Sequence, residues 1–183
     1  YLKQIWHSKD LRIKILFTIF IVLLFRLLAQ ISIPGANLES LKSIFSQNQL
    51  LGIFSMLTGG SAENFSIILM GLSPYINASI IIQLLTVIIP KLENLSKEGE
   101  QGRRTLNRWT RYLTFPLALL QSYGMLLILN NSAAQAGTTL IENIYDPMVV
   151  IPLMLSITAG TVFLMWLGEL ITEKGIGNGI SMI

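Results

Sequence analysis

The stretch Gly71-Leu-Ser-Pro-Tyr-Ile-Asn-Ala-Ser-Ile-Ile-Ile-Gln-Leu-Leu85 decides the fold, because it joins an apolar run to the start signals of a helix. Pro74 lacks a backbone N–H and fits the first turn of a helix, and Ser73 before it can cap the free backbone donors there. We therefore predict that a new helix starts near Ser73, inside a longer hydrophobic region.

One side of this helix mixes aliphatic with polar side chains. With 3.6 residues per turn, one stripe of this helix contains Leu72, Ile76, Ser79 and Gln83. The neighbouring stripe contains Asn77, Ile80 and Leu84, and Ile81 lies further round the helix. Such a face suits a helix that borders a cavity or a moving neighbour better than one that faces lipid. Alternatively, its polar groups only bond to adjacent helices.

The composition indicates an integral membrane protein. Of the 183 residues, 52% are hydrophobic and 13% are charged, about half of the roughly 25% charged content of soluble domains. The mean hydropathy is +0.61. There is no cysteine and a single histidine, His7, which excludes disulfides and thiol catalysis.

Four runs are long enough to cross the roughly 30 Å of hydrocarbon in a bilayer, which takes about 20 helical residues. The predicted fold class is an all-α membrane protein whose spans cover about residues 13–33, 67–89, 112–129 and 148–171. The last span has a small-residue face suited to close helix packing, with Ser156, Thr158, Gly160 and Thr161. The tail Gly175-Ile-Gly-Asn-Gly179 predicts a tight turn, followed by the first turn of another element.

A shorter apolar segment, Leu50-Leu-Gly-Ile-Phe-Ser-Met-Leu-Thr58, is closed by Gly59-Gly60. About nine residues at 1.5 Å each cannot cross a bilayer. The segment either lies at the interface or dips into the membrane and returns, which requires that it be buried in protein or line a cavity. A short segment, a glycine break and a proline-started helix together resemble a broken helix of the kind that often marks a transport path.

Basic residues set the orientation. The amino-terminal segment holds four of them and residues 91–111 hold six, whereas residues 130–147 hold none. Both basic segments, and with them the amino terminus, are predicted to be cytoplasmic. The six basic residues could also contact an acidic partner or RNA, but topology explains them equally well.

Arg26 is the one charged residue deep in a predicted span. Its side chain could snorkel towards the far surface, or it could face a protein interior where it is bonded. No Ser/His/Asp set and no cluster with metal-ligand spacing is present in the sequence, so neither a catalytic centre, a metal nor a cofactor is predicted. An enzyme is the weakest of the functional readings.

Several motifs resemble the SecY family, the channel subunit of the protein-conducting translocon. The first runs from Gly59-Gly60 through Phe65-Ser66-Ile67 to Leu85. The second is Lys97-Glu98-Gly99-Glu100-x-Gly102-Arg103-Arg104 with Thr110-Arg111-Tyr112, and the third runs from Phe163 to Ser181. The bacterial or organellar form of the family fits better than the archaeal or eukaryotic form.

The resemblance implies that residues 1–183 are the amino-terminal half of a pseudo-symmetric ten-span channel. It implies a pore ring at Leu72 and Ile76, and a cytoplasmic loop at residues 90–111 whose basic side chains Arg103, Arg104 and Arg108 face a partner. It implies a plug at about residues 51–65, carried by Leu51, Ile53, Phe54, Met56, Leu57, Gly59 and Gly60. The lateral gate implied by the resemblance consists of Asn77, Ile80, Ile81, Leu84, Gln121 and Ser122.

The implied partners are SecE and SecG-like subunits, the SecA ATPase or the ribosome, signal peptides and secretory polypeptides, membrane lipids and the second half of the channel. The implied location is the inner membrane of a bacterium or the thylakoid membrane. Two positions depart from the family pattern: Leu72 is more often isoleucine, and Asn77 replaces a smaller serine or threonine. Four spans make no complete ring or gate, so we expect the chain to be a fragment.

Two functions from different classes remain open on the residues themselves. The leading hypothesis is a passive polypeptide channel, in which an apolar collar and a movable plug keep ions out while unfolded chains pass. The alternative is a fragment of a secondary transporter, which would also use a broken helix and polar groups at the membrane midplane.

Overall fold

The computed structural model describes residues 9–34, 37–47, 49–57, 60–141 and 143–183. Within those ranges every regular element is a helix, apart from an isolated antiparallel bridge between Ser32 and Ser66. In chain order the helices are α1 (Lys9–Leu28), α2 (Leu38–Gln47), α3 (Gln49–Leu57), α4 (Ser73–Ile88), α5 (Pro90–Lys97), α6 (Glu100–Gln135), α7 (Pro147–Lys174) and α8 (Gly179–Met182).

The start of α4 confirms the prediction of a new helix at Ser73, but not the predicted cap. Ser73 and Pro74 are the first helical residues, and Leu72 occupies the cap position without any side-chain hydrogen bond to the free donors. The predicted capping role of Ser73 is therefore wrong, because Ser73 lies one position too late to cap. Gly71 turns the chain into the helix with a φ of +55°, a conformation that other residues seldom adopt.

Two of the predicted spans contain shorter helices than expected. Helix α1 ends at Leu28 and α4 begins at Ser73, so residues 29–33 and 67–72 are not helical. Instead, residues 31–33 pair with residues 65–67: the N–H of Ile33 donates to the carbonyl of Phe65 at 2.9 Å, and the N–H of Ile67 donates to the carbonyl of Ile31 at 3.2 Å. Pairing satisfies backbone groups that a broken helix leaves without partners.

The charged segment 91–111 is helical rather than a loop. Helix α5 takes its first part, and α6 begins at Glu100 and continues through the predicted span 112–129. With 36 residues, α6 is about 54 Å long at 1.5 Å per residue, which exceeds the thickness of a bilayer. The sequence contains no breaker between Gly102 and Pro116, so the helix extends well beyond the apolar run.

Two helices, α6 and α7, are long and apolar enough to cross a membrane. A third candidate span arises if α4 and α5, which are bent by 105° at Ile89, are taken together. These counts refer to the ranges given above. Helix α1 carries Arg12, Lys14 and Arg26, which reduce the apolar length of a 20-residue helix.

Helix α4 packs against α6, α6 packs against α7, and α1 packs against α7. Three of the four residues of the predicted small-residue face of α7 are buried, Thr158, Gly160 and Thr161, whereas Ser156 is half-buried and its hydroxyl donates to the carbonyl of Pro152 in the same helix. Gly160 has a specific reason to lack a side chain: a Cβ built there would lie 1.9 Å from the carbonyl oxygen of Ile67. The segment before α4 therefore rests directly on the backbone of α7.

The tail forms the predicted tight turn after the end of α7, and α8 follows it. Two threonine hydroxyls hold this turn. The Oγ1 of Thr18 in α1 accepts from the N–H of Ile176 at 3.2 Å, and the Oγ1 of Thr172 accepts from the N–H of Gly179 at 2.9 Å. The amide of Asn178 caps α8 by accepting from the N–H of Ile180 at 3.0 Å.

We predict that Gly160→Ala destabilises the full-length protein by about 2 kcal/mol or more, because the added methyl group would force two backbones apart. The measurement is thermal unfolding of the purified protein in detergent. Gly124→Ala in α6 is the matched control, since a Cβ there has open space around it and alanine favours a helix by about 0.5–1 kcal/mol over glycine. Equal melting temperatures for the two variants would contradict the close approach.

Candidate functional site

Helix α4 divides its residues between a packed face and an open face. Tyr75, Ala78 and Ile82 are 7%, 0% and 7% exposed and contact the rest of the bundle. On the other side the predicted gate residues are exposed, Ile80 at 49% and Leu84 at 59%. Asn77 and Ile81 are exposed as well. The predicted face of mixed aliphatic and polar groups is thus an open surface.

The two predicted ring residues meet at one cavity of about 330 Å³. Leu72 is 8% exposed and belongs to an apolar cluster with Ile68 and Leu164, whereas Ile76, one turn further on, is 46% exposed. Both residues line the cavity. One of them is therefore fixed by packing, and the other presents its side chain to the open space.

The wall of the cavity is built from distant parts of the chain. Helix α1 contributes Phe25 and Arg26, α3 contributes Met56, and the end of the chain contributes Ile180 and Ile183. The segment before α4 supplies Ile68, Met70, Gly71 and Leu72, and α4 itself supplies Ser73 and Ile76. The fold thereby brings the predicted ring together with the predicted plug.

The predicted plug region begins as the short helix α3. Two of its predicted residues are exposed, Ile53 at 50% and Met56 at 84%. Gly59 lies outside the described residues, and so do the side chains of Leu51, Phe54 and Leu57, of which only the helical backbone is described. Gly60 closes the turn, because its N–H donates to the carbonyl of Ser55 at 2.9 Å.

A hydrogen bond that the sequence did not suggest fixes α3 to the chain that follows it. The Oγ of Ser55 donates to Oε1 of Glu63 at 2.7 Å, and Ser55 is only 2% exposed. The same following segment is held on α1, because the Oγ of Ser66 donates to the carbonyl of Leu28 at 2.7 Å. A serine and a glutamate eight residues apart around Gly59-Gly60 are the only sequence signal for this bond.

The other predicted gate residues lie on α6, away from the open face of α4. Ser122 is fully buried, and its hydroxyl donates to the carbonyl of Leu119 at 2.8 Å. Gln121 beside it is half-buried. On α4 itself, the amide of Gln83 donates to the Oγ of Ser79 at 3.3 Å, so this pair bonds within its own helix and not to a neighbouring one.

The basic residues predicted to face a partner occupy the first turns of α6. Arg103, Arg104 and Arg108 are all exposed. Arg104 lies 3.6 Å from Glu100, but both side chains are at least 80% exposed, so this ion pair adds little stability. On α5, a hydrogen bond from Lys97 lowers the pKa of Glu93 below its ordinary value. The arginines are thus presented to the surroundings on a rigid helix.

An ion pair between α6 and α7 was also missed by the sequence reasoning. Nε of Arg111 lies 2.6 Å from Oε1 of Glu169, whose side chain is 21% exposed. Opposite charges just before the third predicted span and near the end of the fourth were the available signal, because two antiparallel neighbouring spans place these ends side by side. The pair borders a groove of about 700 Å³ between the two helices, which includes Phe115 and Trp166.

The described residues bring together no group of three or more His, Cys, Asp or Glu side chains. The cavity beside α4 offers instead an apolar wall with one guanidinium in it. Such a wall can exclude water and ions, and it can contact a polypeptide without selecting a particular sequence.

Comparisons with known proteins agree on one family. The SecY family model matches residues 66–183. Proteins named protein translocase subunit SecY are 48% identical over 178 residues in Bacillus licheniformis, 42% over 185 residues in Streptomyces coelicolor and 39% over 186 residues in Aquifex aeolicus. These alignments cover 96%, 97% and 100% of this chain, but 40%, 42% and 43% of the relatives.

The chain therefore spans about two fifths of the length of the curated relatives it matches. These relatives bear the name of a protein translocase subunit, so the alternative of a secondary transporter is not favoured.

We predict that removing the Ser55–Glu63 hydrogen bond loosens α3 from its place. Ser55→Ala and Glu63→Ala should each raise the rate of hydrogen exchange in the backbone of residues 49–57 by roughly tenfold or more, since a hydrogen bond to a charged group contributes about 1.5–3 kcal/mol. Mass spectrometry of the full-length protein in detergent measures this rate. Ser46→Ala is the control, because among the described residues its hydroxyl donates only to the carbonyl of Ser43 in α2; exchange that stays at the control level would show that the Ser55–Glu63 bond does not hold α3.

Proposed function

Because the chain belongs to the SecY family, we propose that it forms the amino-terminal half of a channel that passes unfolded polypeptides across a membrane and releases hydrophobic segments sideways into lipid. One observation carries this proposal: the central helix α4 packs on one face only, and the cavity beside its open face is bordered by Met56 of the short helix α3.

Four spans make up this half of the channel in our proposal. They are α1, the segment from residue 67 through α4, the apolar part of α6, and α7. Helix α1 is assigned as a membrane span because it carries an exposed apolar stripe that would face lipid. The stripe consists of Ile13, Leu16, Phe20, Leu23 and Leu27, each more than half exposed. Helix α3 is too short to span, and it serves as the plug.

Leu72 and Ile76 form this half's share of the constriction. A narrow apolar collar loses its water readily, and a dewetted constriction blocks ions. Aliphatic side chains also contact a moving chain without strong bonds that would hold it back. The plug adds a second barrier, because Met56 of α3 lies against the same cavity. In this arrangement the collar limits leakage during passage, and the plug closes the channel at rest.

The lateral gate is the open face of α4. Asn77, Ile80, Ile81 and Leu84 would meet the second half of the channel when it is closed, and an apolar signal sequence when it is open. Binding of the signal sequence to this face would be favoured by about 25 cal/mol for each Å² of apolar surface that it buries. Gln121 and Ser122 contribute to the gate from α6. Ser122 is fully buried and Gln121 half-buried, which supports a role in packing this helix rather than in lining the open face of α4.

The driving force would come from a partner that binds on the cytoplasmic side. Arg103, Arg104 and Arg108 offer an exposed positive surface to the SecA ATPase or to the ribosome. The excess of basic residues supports a cytoplasmic position for this surface and for the amino terminus. The channel would reside in the inner membrane of a bacterium or in a thylakoid membrane. There it would associate with SecE and SecG-like subunits, lipids and its own second half.

We predict that Ile76→Gly raises the ion conductance of the full-length channel by at least about threefold, because a wider and less apolar collar holds water more easily. Leu72→Gly should act in the same direction. Planar bilayer recordings of the resting channel measure this leak. Val87→Gly is the control, since Val87 lies on α4 but is absent from the cavity and 80% exposed. Unchanged conductance in the Ile76→Gly channel would contradict the assignment of Ile76 to the pore ring.

We predict that Leu84→Asn and Ile80→Asn change how strictly the channel selects signal sequences. A polar group on the gate face weakens its closed contact with the second half, so proteins with weak signals should gain export relative to those with strong signals. The readout is the ratio of the two export rates in cells. Ile88→Asn, at the cytoplasmic end of α4, serves as the control. A ratio that does not differ from this control would remove these residues from the gate.

A further inference from the structure

The groove of about 700 Å³ between α6 and α7 has no part in the function proposed above. Helix α7 forms most of its wall, from Leu155 to Glu169, and α6 adds Arg111 and Phe115. Phe115, Leu155 and Trp166 are each about half exposed, so the groove opens on the surface of the bundle. Apart from the Arg111–Glu169 pair, the wall is mainly apolar among the described residues. In a membrane crossed by α6 and α7, this opening faces lipid.

The length of the groove matches one leaflet of a bilayer. Leu155 and Glu169 stand at its two ends on α7, and the helix rises about 21 Å between them at 1.5 Å per residue. The hydrocarbon core is roughly 30 Å thick, so one leaflet provides about 15 Å and its head groups a few Å more. A transmembrane helix of a partner would need the full thickness, whereas one acyl chain with its head group extends over this depth. The length therefore favours a lipid over a helix.

Aromatic side chains indicate that the charged end of the groove lies at the level of the head groups. Trp109 and Tyr112 lie beside Arg111 in the sequence of α6 and are 55% and 73% exposed. Trp166 lines the groove about one turn before Glu169 and is 51% exposed. Tryptophan and tyrosine are enriched where the hydrocarbon meets the head groups. The Arg111–Glu169 pair is therefore at the depth of a lipid head group, and Leu155 is near the midplane.

The ion pair presents one charge of each sign to the head-group layer. Nε of Arg111 lies 2.6 Å from Oε1 of Glu169, and the two side chains are 51% and 21% exposed. A guanidinium has further N–H donors besides the one at Nε, and its planar fork suits a phosphate. A carboxylate accepts at both oxygens, so a primary ammonium can donate to it. A phosphoethanolamine head group complements both charges. An anionic head group would meet the carboxylate with like charge, and a choline group has no N–H to donate.

We propose that this groove binds one molecule of an aminophospholipid, phosphatidylethanolamine. Its phosphate accepts from Arg111, its ammonium donates to Glu169, and one acyl chain lies along the apolar wall from Trp166 to Leu155. This inference goes beyond the proposed function, because it requires that α6 and α7 cross the membrane and not that the chain conducts polypeptides.

The test uses the full-length protein in vesicles of phosphatidylglycerol and phosphatidylcholine that contain a trace of phosphatidylethanolamine with a photoreactive acyl chain. After illumination, mass spectrometry maps the labelled residues, and we expect the label within residues 155–166. Unlabelled phosphatidylethanolamine should reduce this labelling at least about fivefold more effectively than phosphatidylcholine or phosphatidylglycerol with the same chains. This competition needs no variant, so a folding defect cannot affect it.

Three variants separate the head group from the acyl chain. Glu169→Gln should abolish the preference for phosphatidylethanolamine over phosphatidylcholine, and Arg111→Gln should lower the labelling by roughly threefold or more. Ala159→Phe adds a ring at an exposed position of the groove wall and should lower the labelling while the ion pair is intact. Lys174→Gln is the control, since Lys174 is an exposed basic residue at the same end of α7 and is absent from the groove wall. It should label like the unmodified protein.

Equal displacement by the three lipids, or stronger displacement by phosphatidylglycerol, would overturn the recognition of this head group. A label outside residues 155–166, as when a partner's helix fills the groove, would overturn the site. Neither result bears on conduction, which the Ile76→Gly channel tests separately.

Discussion

The pairing of the segment after α1 with the segment before α4 is the constraint on which the rest of the structure depends. A chain inside a bilayer must satisfy its backbone groups internally, and a helix does so by itself. The helical hydrogen bonds are missing in residues 29–33 and 67–72. Backbone hydrogen bonds that join Ile31 and Ile33 to Ile67 and Phe65 replace part of them, and the contact with Gly160 supports the second segment. This support allows α4 to start in the middle of an apolar region.

The late start of α4 has two consequences for the site. It places Leu72 at the junction between irregular chain and helix, where packing against Ile68 and Leu164 holds it. It also leaves α4 with 16 residues, of which Tyr75, Ala78 and Ile82 suffice to attach it to the bundle. The remaining face needs no partner within this chain, and that makes it available for another surface.

Much of this arrangement could be predicted from local patterns. Pro74 predicted the start of α4, the glycine and hydroxyl residues of the last span predicted a close approach, and the glycine-rich tail predicted a turn, because each feature depends on neighbouring residues. Ser73 shows the limit of local reasoning, since its capping role failed by a single position. The helical form of residues 91–111 was not predicted, because the resemblance implied only a cytoplasmic loop and no conformation for it, although arginine, lysine and glutamate are good helix formers.

Features that join distant segments could not be read in the same way. How helices approach one another determines the Ser55–Glu63 bond, the Arg111–Glu169 bond and the position of Arg26. A single sequence does not give the distances between helices. The motif resemblance supplied the ring at Leu72 and Ile76, which wheel geometry alone would have left as one of several stripes. The fold brings these two residues to one cavity, but their role in conduction stays a prediction.

The distribution of these bonds indicates which parts would move if the channel opens. Helices α6 and α7 are joined by a core that includes Leu126, Leu129 and Ile157, each fully buried, and by the Arg111–Glu169 pair at 2.6 Å. Separating them would expose this core, whereas displacing α3 would break the Ser55–Glu63 bond. We therefore expect the bundle of α4, α6 and α7 to stay together as a rigid wall when the channel opens.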